Sequence, residues 1–139
     1  MLVKKTILKG LLAIGIGIPA FAQAADLVIT NNTNQDSTVI ANKGACSYPA
    51  LGEVGITRAH KSNTVPESKL KLACMANKSD CKADVYMTSN CSGPIIATAS
   101  FEVVTKDGKP GQGLKSIQIK DSAYAVTGGG FNITISGGH

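Results

Sequence analysis

Residues 82–88 read Lys-Ala-Asp-Val-Tyr-Met-Thr (KADVYMT). In an extended chain Ala83, Val85 and Met87 fall on one side, and Lys82, Asp84, Tyr86 and Thr88 on the other. A repeat of two with one apolar side marks a strand that covers a core and faces water. The same period extends outward in both directions. Upstream it recurs at 27–31 (LVITN), 37–41 (STVIA), 54–60 (VGITRAH) and 68–74 (SKLKLAC). Downstream it recurs at 95–105, 114–120, 123–127 and, after Gly128-Gly129-Gly130, at 131–136 (FNITIS). Polar or Pro/Gly-containing stretches at 32–36, 48–53, 62–67 and 106–113 separate these runs as turns and loops. About eight or nine short strands with no helix between them predict an all-β, two-sheet antiparallel sandwich, immunoglobulin-like in the broad sense.

The chain opens differently. Lys4, Lys5 and Lys9 precede an apolar run at 10–21 (GLLAIGIGIPAF), and Ala22-Gln23-Ala24 follows. A basic start, a short apolar middle and an A-x-A exit make a signal peptide over 1–24. The apolar run is too short for a membrane span, and no transmembrane segment is expected elsewhere. The layout is that of a Gram-negative bacterial leader, so the chain is expected to be exported, either secreted or periplasmic. The mature protein is then one domain, 25–139. Loss of the three leader lysines takes the formal charge from +5 to +2, which gives no case for nucleic-acid binding. With no Trp, and with Tyr48, Tyr86, Phe101, Tyr124 and Phe131 as its aromatics, the mature chain is not suited to a broad sugar-stacking platform.

Cys46, Cys74, Cys81 and Cys91 all fall in the exported region. An even number of cysteines outside the cytoplasm reads as disulfides, and no C-x2-C spacing favours zinc. The strand at 82–88 would hold Cys81 and Cys91 some 23 Å apart, whereas a disulfide needs Cα atoms within about 7 Å. The expected pairs are Cys74–Cys81, across a hairpin, and Cys46–Cys91; the alternative is 46–81 with 74–91. A first strand ending in Asn31-Asn32-Thr33, followed by a second strand, resembles the start of several secreted sandwich families, thaumatin-like ones included. Those families carry far more cysteines, and nothing functional is transferred from the resemblance.

Catalytic patterns are sparse. Ser-x-x-Lys occurs at Ser68–Lys71 and Ser79–Lys82, but the first lies on a predicted strand and the second spans a cysteine loop. His60 has basic neighbours and no G-x-S-x-G elbow to serve. Asn77, Asp80 and Asp84 are interrupted by lysines and lack a turn glycine, unlike a calcium loop. No catalytic residue, metal or cofactor is expected, and the protein is read as a non-enzymatic binding protein. Its candidate anion patch is basic: Arg58, His60 and Lys61 end one predicted strand, and Lys69 and Lys71 begin the next. Paired as a hairpin, these would focus positive charge toward an anionic lipid headgroup such as a phosphoinositide, a sulfated glycan or an acidic protein. The alternatives are a structural subunit of a surface fibre and a periplasmic inhibitor of an enzyme.

Overall fold

The computed structural model describes residues 25–138; the leader at 1–24 and the terminal His139 lie outside the described residues. Nine strands form two sheets. In chain order they are β1 (Leu27–Asn31), β2 (Ser37–Ala41), β3 (Ile56–Thr57), β4 (Ser62–Val65), β5 (Cys81–Tyr86), β6 (Ile95–Val104), β7 (Pro110–Ile119), β8 (Tyr124–Gly129) and β9 (Asn132–Gly137). One sheet has the order β4-β1-β9-β8 and the other β3-β2-β5-β6-β7. All pairings are antiparallel except β1 with β9, where Val28 lies opposite Asn132 and Asn31 opposite Ile135. β9 thus sits between β1 and β8.

The alternation that predicts the sandwich also builds it. Cys81 and Val85 of β5, Ala97, Ala99, Phe101 and Val103 of β6, and Ile133 and Ile135 of β9 face one another in the core. Its residues are mostly aliphatic, with Ala97 and Ala99 at the centre of β6 and Phe101 and Tyr124 as the aromatic members. At one edge the two sheets touch: Leu114 N–H of β7 donates to Gly130 O at 2.7 Å, in the β8–β9 turn. Gly113 makes that approach possible. Its φ is +87°, and a Cβ there would lie 2.2 Å from Gly130 O. Gly113→Ala is expected to cost about 2 kcal/mol in urea denaturation, from left-handed strain and the forced separation of the edges.

Between Cys46 and Cys74 the structure departs from the expected strands. Residues 48–53, expected as loop, contribute to a short helix, α1 (Ser47–Ala50), and a 3-10 turn (Gly52–Gly55). The strand expected at 54–60 shrinks to β3, while the turn expected at 62–67 holds β4. The largest correction is at 68–74, which lies within and at the end of a helix, α2 (Glu67–Ala73). Alternation placed Leu70 and Leu72 together; the helix buries Leu70 and leaves Leu72 56% exposed. Its sequence carries the reason. Residues 67–76 contain no β-branched side chain, Pro66 sets the N-cap, and Glu67 pairs with Lys71 one turn on.

Both disulfides match the expected pairing. Cys46–Cys91 has a Cα separation of 5.9 Å and Cys74–Cys81 one of 5.5 Å. The second is not a cross-hairpin bridge, however: it joins the C-cap of α2 to the first residue of β5. No helix among the described residues is long and apolar enough to cross a membrane.

Candidate functional site

The hairpin expected to gather Arg58, His60, Lys61, Lys69 and Lys71 does not form, because Lys69 and Lys71 lie on α2. Four of the five side chains also have partners within the protein. Arg58 contacts Asp36 Oδ2 and Glu53 Oε1, each at 3.4 Å, and lies over the Tyr48 ring at 5.7 Å. Partial desolvation opposes its charge, but the hydrogen bonds and the attraction of Glu53 and Asp36 raise its pKa above the ordinary value. His60 Nε2 meets Asn34 Oδ1 at 2.6 Å. Lys61 is exposed between the turn at 59–60 and β4, and its backbone carbonyl accepts from Asn31 N–H. Lys69 Nζ donates to Leu51 O at 2.9 Å, and Lys71 pairs with Glu67. Each acid near these groups removes positive charge that an external anion would need.

A different basic cluster forms about Asp80, at the end of the loop that Cys74–Cys81 closes. Asn77 shapes this loop by accepting the Asp80 N–H at 3.1 Å. Lys78 O accepts from Val103 N–H and Val104 N–H, which fixes the loop against the end of β6. Lys82 Nζ then reaches Asp80 Oδ1 at 3.1 Å and Ser100 Oγ at 3.0 Å. Lys115, at a bulge of β7, approaches the same Oδ1 at 3.9 Å. The Lys82 hydrogen bond, with the charges of Lys82, Lys115 and Lys106, holds the Asp80 carboxyl below the usual range. Lysines from a strand and a bulge thus meet at one carboxylate, leaving net positive charge at the surface. Strand alternation could place Lys82 outward, but only the closed loop and the β7 bulge bring the others to it.

The calcium candidates serve other ends. Asp84 accepts from Thr98 Oγ1 at 2.8 Å, Asn77 turns its own loop, and Asp80 holds Lys82. Among the described residues no group of three or more His, Cys, Asp or Glu is placed to hold a metal ion.

Fold and cysteines together define a small β-sandwich closed by two disulfides. A family described as "T2SS substrate NttC" matches residues 4–138, and the chain belongs to that family. It is a secreted protein, a substrate of the type II secretion system. A solved structure, described as the Legionella pneumophila type II secretion system substrate NttC, shares the fold with a TM-score of 0.58. It is 20% identical, over 84% of this chain and 100% of that one. No curated protein sequence matches the chain.

Proposed function

We propose that this secreted protein acts by binding and not by catalysis, and that the lysine cluster about Asp80 receives the headgroup of an anionic lipid. The observation that carries the reading is the approach of two lysines to a single carboxylate: Lys82 Nζ lies 3.1 Å and Lys115 Nζ 3.9 Å from Asp80 Oδ1. Asp80 occupies the place of an external anion, and two cations on one acid leave a positive spot on a nearly neutral domain. The wholly paired chemistry of Arg58, His60 and Lys71 is consistent with a structural role for the other basic region.

Co-sedimentation with phosphatidylserine vesicles at physiological salt, against phosphatidylcholine vesicles, tests the reading. Lys82→Ala with Lys115→Ala is expected to weaken binding about thirtyfold, since each lysine at an anionic surface contributes about 1 kcal/mol. Asp80→Asn moves the other way, tightening binding about fivefold by removing the internal competitor. Equal sedimentation with both vesicle types, or no opposition between the two variants, rejects this site.

A further inference from the structure

β7 is an edge strand of the five-stranded sheet and, with β6, one of its two longest. Lys120 N–H donates to Ile96 O at 2.8 Å, one step beyond the Ala97–Ile119 pair. Bonded and non-bonded pairs alternate along an antiparallel ladder. Ser116 and Gln118 therefore turn their backbone groups toward β6, and those of Ile117 and Ile119 point away from it. Among the described residues, Leu114 N–H to Gly130 O is the one backbone bond joining β7 to the other sheet, and it precedes this stretch. Ser116, Gln118, Ile119 and Lys120 are all exposed.

A bare edge of this kind is a template for another strand, and proteins usually blunt it with proline, bulges or inward charges. Pro110 and the bulge near Lys115 guard the first half of β7. Residues 116–119 have no such guard, and Ile119, on the core side of its sheet, is 41% exposed.

The sequence of the edge says which strand fits it. Residues 115–121 (KSIQIKD) are symmetric about Gln118: an isoleucine lies one position to each side, and Lys115 and Asp121 lie three positions away with opposite charges. We propose that two copies of this chain pair antiparallel through β7, with Gln118 opposite Gln118 of the second copy. Ile117 of each copy then exchanges both backbone bonds with Ile119 of the other and covers its side chain. Lys115 of each copy stands opposite Asp121 of the other, a favourable cross-strand pair. Registers shifted by two residues set Lys115 against Ile119, or Ile117 against Asp121. The pairing rests on the backbone of β7 and is independent of the headgroup reading. Its two-fold axis is normal to the sheet, so both Lys82–Lys115 clusters would lie on one surface.

Crosslinking of single-cysteine variants under air oxidation tests the register. Residues facing each other in a non-bonded pair have Cα atoms about 4.5 Å apart, inside the roughly 7 Å limit for a disulfide. Gln118→Cys is expected to give a covalent dimer with both native bridges intact. Ser116→Cys lies about 13 Å from its counterpart in this register. It is expected to stay monomeric alone and to crosslink when mixed with Lys120→Cys. Adding Ile119→Lys to Gln118→Cys should abolish the covalent dimer, and an unchanged thermal midpoint verifies that this variant folds. The unaltered protein should approach twice its monomer mass in sedimentation equilibrium as its concentration rises. Gln118→Cys that stays monomeric, or Ser116→Cys that dimerises as readily, overturns the proposal. So does an unaltered protein that remains a monomer at millimolar concentration.

Discussion

Replacing Cys46 and Cys91 together by alanine is expected to destabilise the protein by about 4 kcal/mol, the larger of its two disulfide losses. The bridge joins residues 45 apart in sequence. Cutting it frees a long loop in the unfolded chain and, by chain entropy, removes about 4 kcal/mol. Against the 5–15 kcal/mol that holds a typical domain together, this is a large share. The thermal midpoint should fall by roughly 20 °C. Cys74 and Cys81 are only 7 apart, so the same argument assigns their bridge about 2.5 kcal/mol. Thermal and urea unfolding of the two double variants tests the order. Cys74 and Cys81 are buried core residues whereas Cys46 and Cys91 are half-exposed. A larger loss at 74–81 would therefore show that core packing outweighs loop entropy.

Asn31→Leu should cost about 3 kcal/mol although it conserves size and adds apolar surface. Asn31 closes β1 and is fully buried. Its Nδ2 donates to Gln35 O at 2.7 Å and to Thr57 O at 3.0 Å. Its Oδ1 accepts from Thr33 N–H at 3.0 Å and Thr33 Oγ1 at 2.7 Å. One amide thereby folds the β1–β2 turn and pins it to β3 of the opposite sheet. Leucine would leave several of these groups buried without a partner, each at about 1–3 kcal/mol before relaxation. Equilibrium denaturation of the variant measures the loss. A change within about 0.5 kcal/mol would mean that water replaces the amide.

Much of this architecture is legible in the order of residues. Strands whose one side is apolar, such as β5 and β9, declare both their class and their inward face. The length of the strand after Cys81 rules out a Cys81–Cys91 pair, and the structure decides between the two pairings that remain. Residues 67–73 were opaque to the same reasoning, since Lys69-Leu70-Lys71-Leu72 satisfies a period of two as well as one turn of helix. Composition decides between them: Glu, Lys, Leu and Ala with no β-branched neighbour favour the helix. Because that segment is helical, Lys69 and Lys71 do not join Arg58 and His60 on a hairpin. The cluster about Asp80 depends on contacts distant in sequence, between Asp80 and Lys115 and between Lys78 O and β6. Neighbouring residues along the chain give no sign of such contacts.

The parallel pairing of β1 with β9 has a mechanical consequence. Because the two strands run the same way, the chain enters at Leu27 and leaves at Gly137 from opposite ends of the ladder they share. Tension applied through the two termini therefore pulls these strands along their length, past each other. The backbone bonds between them are loaded together and must fail together; they cannot peel open one rung at a time. The same residue count arranged as a terminal hairpin would unzip. Resistance to force in this domain is thus set by where its ends lie in the sheet, and it would be read as a slow forced-unfolding rate, a quantity separate from its equilibrium stability.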